Sequence, residues 1–358
     1  LLIKQPDRKT ILQNGVTAAA VLIVPILVSI FMYHGYTEKV DPIRVIACQP
    51  NLDPYSSQYS TPPIEVIDLN LDLAKSVWDG KPAFFVSPES TIQEDIWEEN
   101  LHESTTLNKL QEFTSEFPQV KIVIGASTYR KYKEGEKLPN SARFHKYGKF
   151  YYDSYNTAFF IDSTRNIQIH HKSKLTPGVE YMPSGGIFKF LEKYAIDLGG
   201  TVGTLGIEDA PQPFEVSESN KVGPVICYES VFGGFCADFV RKGANVLFII
   251  TNDGWWGNTP GHKQHLSFAS LRAIETRRSI ARSANTGISC FVNQRGDIQQ
   301  ATKYWERDVI SQEINLNSKM TFYTRFGDYF GRISSFVSVL FLLLAIVFRI
   351  KNKNKIKS

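Results

Sequence analysis

The feature that most constrains the fold is a charge-free apolar stretch near each end of the chain. Residues 10–36 contain no Asp, Glu, Lys or Arg. Near the other end, residues 333–348 read ISSFVSVLFLLLAIVF between two arginines. A bilayer core about 30 Å thick is crossed by about 20 apolar residues of helix. We therefore predict transmembrane helices at both places.

Each stretch also allows a second interpretation. The first could be a cleaved signal peptide, although signal peptides have a shorter apolar region, and its internal Pro25 is tolerated in membrane helices. The second has 16 residues, so to span it requires snorkelling arginines or help from the aromatic residues at 322–330. It could instead be a buried core helix. The composition favours the membrane interpretation for both.

The charge is distributed unevenly, which predicts the orientation. Of the net +4, residues 1–10 carry +2 and residues 349–358 carry +5, which leaves −3 for the middle. Basic flanks stay on the cytoplasmic side of a membrane, so we predict cytoplasmic segments at 1–9 and 349–358 and a periplasmic domain at 37–332. The acidic middle argues against nucleic acid as a partner. The opening Leu-Leu-Ile suggests the C-terminal part of a longer multi-pass protein.

The cysteines and histidines show no metal-binding pattern. The sequence has no C-x-x-C motif, which argues against structural zinc and a disulfide framework, but it leaves open whether any cysteines pair. We expect no metal ion and no cofactor. The residues in question are Cys48, Cys227, Cys236, Cys290, His170, His171, His262 and His265.

The middle segment alternates apolar β-branched runs with helical patterns, which predicts an α/β domain whose sheet faces are covered. The predicted strands are 43–49, 83–87, 122–128, 156–161, 223–227, 245–251 and 287–293, and the predicted helices are 64–79, 105–117, 229–242 and 262–281. A stretch rich in Gly and Pro at 175–221 is too long for a plain connection and indicates a lid or binding loop.

Three reactive residues follow predicted strands or open that irregular stretch. They are Glu89, Lys172 and Cys227. Each alone is a weak signal, because a strand-end cysteine is usually buried filler. Together they supply what thiol chemistry requires: a base for a thiol of pKa about 8.5, and a cation for a carbonyl oxygen that becomes negative.

In order and spacing these three residues resemble the Glu-Lys-Cys triad of the nitrilase, or carbon–nitrogen hydrolase, superfamily. Five words resemble its apolipoprotein N-acyltransferase branch: VIACQPN, KSKLTPGVEYMP, ICYES, TNDGWWGNTPGHKQH and RAIETRRSIARSANTG. The resemblance covers residues 40–325 and implies an αββα sandwich between the last two membrane helices. Two segments differ from the pattern of this branch. Residues 177–180 are PGVE where the branch has Pro-Phe-Gly-Glu, and residues 261–265 are GHKQH where the branch has Pro after the Gly.

The resemblance also implies residue roles. Cys227 would be the nucleophile that becomes acylated, and Glu89 would be the general base. Lys172 would stabilise the oxyanion together with the backbone N–H of Tyr228. Glu180 matches a second glutamate that supports the triad.

Four further residues carry weaker implications. Tyr228 and Glu229 match positions beside the nucleophile that the family needs, although a helix start is an alternative explanation for them. Trp255 and Trp256 could form an apolar wall for acyl chains or a loop at the membrane face, or could be ordinary packing.

The implied function is an acyltransferase of the bacterial inner membrane. It would move an acyl chain from a phospholipid, by resemblance phosphatidylethanolamine, onto Cys227 and then to the N-terminal amine of an apolipoprotein. A membrane-tethered amidase would use the same triad with water as acceptor. A non-enzymatic interaction domain is the third alternative. The intact triad argues against the last, and the apolar helices favour a donor that resides in the bilayer.

Overall fold

The computed structural model describes residues 7–181 and 204–357. The chain divides into two units, Leu1–Lys39 and Val40–Ser358. The first contains helix α1 (Arg8–Gly35), which begins where the Asp7 side chain accepts a hydrogen bond from the Thr10 N–H at 3.0 Å. No residue of α1 is buried within the described chain, as expected for a helix that meets lipid.

The second unit contains the remaining elements. Its helices are α2 (Pro63–Val77), α3 (Thr105–Glu116), α4 (Gly233–Arg241), α5 (Pro260–Thr276), α6 (Phe322–Phe326) and α7 (Tyr329–Lys357). Its strands are β1 (Pro42–Gln49), β2 (Ala83–Val86), β3 (Ile92–Trp97), β4 (Val120–Lys131), β5 (Arg143–His145), β6 (Phe150–Ile161), β7 (Gln168–His171), β8 (Phe214–Glu215), β9 (Lys221–Ile226), β10 (Ala244–Thr251), β11 (Ile280–Ala284), β12 (Cys290–Val292), β13 (Ile298–Gln299) and β14 (Asp308–Asn315). Short 3₁₀ helices cover Glu98–Glu103, Cys227–Val231 and Asp253–Trp256.

The strands form two sheets. The first has the order β14-β1-β2-β4-β6-β5, with β3 beside β4 and β7 beside β6, and the second has the order β13-β12-β11-β10-β9-β8. Their centres are parallel: β1, β2 and β4 in one, and β9, β10 and β11 in the other. Parallel pairing requires crossovers, which the helices between these strands supply.

Alternation along the strands builds the layers. In β10, Val246, Phe248 and Ile250 face the first sheet, while Leu247 and Ile249 face the helices. The ring centroids of Phe84 and Phe248 lie 5.4 Å apart across the inter-sheet core. Helices α2 and α3 cover the outer face of the first sheet, and α4 and α5 cover that of the second. The architecture is therefore the predicted αββα sandwich.

Two predicted helices were wrong in extent. Helix α5 ends at Thr276 because Arg277 adopts a left-handed conformation with φ of +51°, and strand β11 replaces the rest of the predicted segment 262–281. All five residues of β11 are buried, but its sequence IARSA includes Arg282 and Ser283, so it shows neither alternation nor the continuous apolar run of a buried strand. The predicted helix 229–242 divides into the 3₁₀ helix Cys227–Val231 and α4, and the strand before it ends one residue early.

Helix α7 continues past the predicted segment at both ends. The most apolar 18-residue window within residues 329–350 has a mean hydropathy of 2.5, and none of that window is buried in the described structure. It is therefore not a core helix of this domain. Both α1 and α7 are long and apolar enough to cross a membrane. Of the irregular stretch 175–221, residues 182–203 lie outside the described residues, and β8 lies in the remainder.

Candidate active site

Glu89 lies just after the carboxyl end of β2, in a loop that packs against β4. The Gly125 N–H donates to the Pro88 carbonyl oxygen at 3.0 Å. A Cβ at Gly125 would lie 2.6 Å from the Glu89 Cα, so only glycine allows this approach. The side chain of Glu89 is thereby held inside the domain with 5% of the residue exposed.

Lys172 follows β7, whose antiparallel pairing with β6 brings its carboxyl end to the same edge as that of β2. Its Nζ lies 2.8 Å from Glu89 Oε1 and 2.9 Å from Glu180. The residue is 1% exposed. Burial by itself lowers the pKa of Lys172, but the charges of Glu180 and Glu89 outweigh it and hold that pKa well above the usual value. Lys172 is therefore a permanent cation at this site.

Glu180 completes the ion cluster from the loop after β7. It accepts a hydrogen bond from the Thr176 N–H at 2.8 Å, and Lys172 contacts its carboxylate. Burial raises the pKa of Glu180, but the Lys172 charge and these hydrogen bonds produce a net lowering. The Asn156 side-chain amide, on β6, donates to Glu89 at 2.7 Å and to Glu180 at 2.9 Å. One cation and one amide thus bind both carboxylates.

Cys227 lies at the carboxyl end of β9 and is the first residue of a 3₁₀ helix. Its φ of +48° is unusual for a residue with a side chain and marks a sharp strand-to-helix turn. Burial, and then the charge of Glu89, raises the pKa of the Cys227 thiol, while Lys172 lowers it. The Cys227 thiol therefore lies within electrostatic reach of both side chains.

Glu229 joins the turn that carries the cysteine to the turn that carries the lysine. Its carboxylate accepts from the Ser173 N–H at 2.6 Å and from the Ile226 N–H at 2.8 Å, with no exposed surface. Glu229 caps the start of the 3₁₀ helix, as the helix-start interpretation predicts. The same carboxylate also fixes the loop beside Lys172.

Comparison with known proteins assigns the family. Residues 81–320, well over half of the chain, match the carbon–nitrogen hydrolase family. The chain belongs to the carbon–nitrogen hydrolase family. This match contains all three sequence-predicted triad positions and the strands that hold them.

Two relatives are apolipoprotein N-acyltransferases. The protein from Chlorobaculum tepidum is 33% identical over 59% of this chain and 40% of its own length. The protein from Thermotoga maritima is 27% identical over 90% of this chain and 57% of its own length. The chain thus spans about half the length of the relatives it matches.

A solved structure shows the same fold. Saccharomyces cerevisiae Nit3, a member of branch 10 of the nitrilase superfamily, superposes with a TM-score of 0.54 at 17% identity. The match covers 78% of this chain and 93% of Nit3. At this identity the similarity shows only that the two proteins share the αββα sandwich fold.

The remaining predicted residues have aromatic side chains. Trp255 packs against Tyr55 and Tyr59, with ring centroids 5.1 Å and 6.4 Å apart. Trp256 is 39% exposed. Partial burial, and then the charges of Glu89 and Glu180, raises the pKa of Tyr59 to about 12. The Tyr59 ring therefore lies within electrostatic reach of both carboxylates. The Tyr228 ring is half-buried against Phe232.

Sequence reasoning missed several residues of this site. Asn156 lies in a buried strand without a distinctive motif. The Asn252 N–H donates to Glu89 Oε2 at 3.1 Å, and the quoted word TNDGWWG could have suggested it. His265 was considered only as a metal ligand, yet its Nε2 lies 3.1 Å from the Cys227 carbonyl oxygen. None of the four cysteines forms a disulfide.

Proposed function

We propose that this protein is a membrane N-acyltransferase that moves an acyl chain from a phospholipid to the N-terminal amine of the diacylglyceryl-cysteine of apolipoproteins. The observation that carries the proposal is a buried lysine shared by two carboxylates beside a buried thiol at a strained turn. The names of the relatives support this reaction rather than simple hydrolysis.

In the first half-reaction, Cys227 Sγ attacks the ester carbonyl carbon of the phospholipid. Because burial raises the pKa of this thiol, it needs a base at the moment of attack, and Glu89 takes the proton. The carbonyl oxygen becomes negative as the S–C bond forms. The lysophospholipid oxygen then leaves with the proton from Glu89, and an acyl thioester remains on Cys227.

Two donors can stabilise the oxyanion. The Lys172 ammonium lies within 2.9 Å of Glu89 Oε1 and of both Glu180 oxygens, so it would turn one of its three protons from Glu180 to the oxyanion. The Tyr228 N–H belongs to the first turn of a helix, where backbone N–H groups have no partner inside the helix. A buried site of this kind makes each donor more effective than in water.

In the second half-reaction, the N-terminal amine of the apolipoprotein attacks the thioester carbonyl. Glu89 again accepts a proton, the C–S bond breaks, and the Cys227 thiolate leaves and is reprotonated. The product is an amide. Burial of Cys227, which is 8% exposed, limits the access of water to the thioester between the two steps. The exposed rings of Tyr55 and Trp256 offer apolar surface for the acyl chains of donor and acceptor.

The reaction can be observed directly. We would incubate the full chain in detergent with phosphatidylethanolamine of defined acyl chains and measure the mass of the Cys227 peptide. The expected result is the added mass of one acyl chain on Cys227, together with free lysophospholipid. The Cys227→Ala variant should show neither the acyl adduct nor the lysophospholipid. Addition of a diacylglyceryl-cysteine peptide should then discharge the thioester. Discharge to free fatty acid alone would favour the amidase-type alternative, and no acyl adduct would refute the proposal.

We also propose a multi-pass arrangement in the bacterial inner membrane, with the sandwich on the periplasmic side. The two apolar helices and the basic residues at 349–358 support it. A membrane-impermeant protease added to spheroplasts should reach loops of the sandwich but leave the basic tail protected. Cleavage only from the cytoplasmic side would contradict this orientation.

A further inference from the structure

Two side chains contact the carbonyl oxygen of the peptide group that joins Cys227 to Tyr228. The Cys227 carbonyl oxygen accepts a hydrogen bond from Ser230 Oγ at 2.7 Å and lies 3.1 Å from His265 Nε2. A carbonyl oxygen only accepts hydrogen bonds, so the Nε2 atom of His265 carries the proton. Ser230 Oγ, 3.0 Å from the same nitrogen, accepts from it while donating to the carbonyl.

Two buried ions orient the His265 ring. Its Nδ1 lies 2.9 Å from Asp253 Oδ1 and 3.2 Å from Arg282 Nη2. A carboxylate oxygen also only accepts, so Nδ1 carries a proton as well, and the ring donates to Asp253 from one nitrogen and to the Cys227 carbonyl oxygen from the other. The same guanidinium donates to Asp253 Oδ2 at 2.7 Å. His265, Asp253 and Arg282 are at most 5% exposed. The arrangement permits one ring orientation, with Nε2 facing the nucleophile's peptide group.

This contact controls an N–H group on the other side of the peptide. Every described peptide bond is trans, so the Cys227 C=O and the Tyr228 N–H point in opposite directions from one rigid plane. Fixing the oxygen therefore fixes the direction of the N–H. Donation to the oxygen also polarises the peptide group and strengthens its N–H as a donor. The strained φ of Cys227 persists only if such contacts hold it.

We propose that His265, oriented by Asp253 and Arg282, is a positioning residue that aims and polarises the Tyr228 N–H toward the oxyanion. The inference rests on the proposed function, because it assigns the Tyr228 N–H to the oxyanion hole. It explains why three mutually paired polar residues occupy the interior directly behind the nucleophile.

The test compares two reactions of the same thiol. Acylation by p-nitrophenyl butyrate passes through an oxyanion, whereas alkylation by iodoacetamide does not. Both are followed on the full chain in detergent, the first by the burst of p-nitrophenol and the second by mass spectrometry of the Cys227 peptide. The variants are His265→Leu, which removes the donor, and His265→Gln, whose amide can replace it.

For His265→Leu we expect acylation to slow by on the order of 10-fold to 100-fold, since outright loss of an oxyanion donor costs about 10²–10³. Alkylation should change by less than about threefold, and His265→Gln should recover most of the acylation rate. His262→Leu is the matched control, because His262 is also buried in α5 but stacks on Tyr304 at 4.0 Å. The His262→Leu variant should lower the melting temperature but change the acylation and alkylation rates by the same factor.

Equal slowing of acylation and alkylation in His265→Leu would overturn the inference, since it would indicate a displaced thiol. So would an unchanged acylation rate, or failure of His265→Gln to recover activity at a melting temperature equal to that of wild type. If the wild-type chain itself showed no burst, the proposed function would fail first, and the inference with it.

Discussion

Two buried ion clusters flank Cys227, and they differ in which part of that residue they meet. The first joins Lys172 to Glu89 and Glu180 at the edge of the first sheet, within electrostatic reach of the thiol. The second, in the layer of the second sheet, joins Arg282 to Asp253 and His265 and contacts the backbone oxygen.

The difference teaches how similar chemistry serves two purposes. Both clusters have an almost fully buried cation, Lys172 in one and Arg282 in the other. Burying ions costs desolvation energy that their attraction only partly offsets, so neither cluster is explained by stability alone. The first has one more carboxylate than cations and can accept a proton. In the second cluster the carboxylate is paired with a guanidinium and with the His265 ring. This pairing keeps the ring in a fixed orientation.

The largest effect is expected where both clusters meet. Cys227→Ala should abolish thioester formation while leaving the fold intact, because only the thiol of this residue can form the thioester. Mass spectrometry and the p-nitrophenol burst would measure the loss. Cys48→Ser and Cys290→Ser are the controls, since both thiols are buried and burial raises the pKa of Cys48 to about 12. Equal loss in either control would mean that another thiol reacts.

Glu89→Gln tests the proton acceptor of the first cluster. We expect acylation to fall by at least about 10²–10³-fold at pH 7, which is within the range for general acid–base catalysis. Burial keeps the pKa of the Cys227 thiol above its usual value, so the thiolate fraction of the variant should grow about tenfold per pH unit.

A pH–rate profile from pH 7 to 9 checks this prediction. The variant should gain activity steeply with pH, whereas the wild type, which retains its base, should gain less. If Glu89→Gln kept most of its activity with a flat profile, Glu180 would become the better candidate for the base.

Lys172→Ala tests the cation of the first cluster. We expect thioester formation to slow by about 10²–10³-fold, the usual cost of one oxyanion donor. Single-turnover burst rates would measure the change, with circular dichroism as the control for folding, because two carboxylates would then face each other unpaired. If Lys172→Ala lost less of the acylation rate than His265→Leu, the second cluster would contribute more to oxyanion stabilisation than the first, contrary to our assignment.

The smallest effect on activity is expected next to the first cluster, at His171. Its ring contacts Glu98 at 2.7 Å and Glu208 at 3.2 Å. Burial lowers the pKa of His171, but the hydrogen bonds to Glu208 and Glu98 outweigh it and raise the pKa to about 9. Since the pKa is higher in the folded state, the stabilisation is complete below pH 6.5 and is lost as the pH rises through 9.

His171→Gln should therefore lower the melting temperature most at pH 6 and least at pH 10, with a free-energy difference of at most about 3 kcal/mol. Melting curves at several pH values would measure it, while burst rates should change little. A pH-independent difference would show that His171 is not charged in the folded protein. A large loss of acylation at equal stability would place it in the first cluster.

Local patterns in the sequence were sufficient for the α/β class and for most of the central strands, whereas the three triad candidates were named from the resemblance to a known family. Apolar β-branched runs mark buried strands, and reactive residues that follow them must gather at one edge when the strands are parallel. The fully buried strand β11 was missed because its sequence IARSA contains Arg282 and Ser283 and so lacks the apolar run that marked the other buried strands.

The sequence by itself determined the two apolar helices and the α/β class through composition and periodicity, and its resemblance to a known family implied the sandwich and the three candidate residues Glu89, Lys172 and Cys227. Only the tertiary structure decided which groups complete the site. Asn156 is 67 residues from Glu89 and His265 is 38 residues from Cys227, yet both are in hydrogen-bond contact with these residues. Such pairs form through crossovers and sheet packing, so no local pattern specifies them.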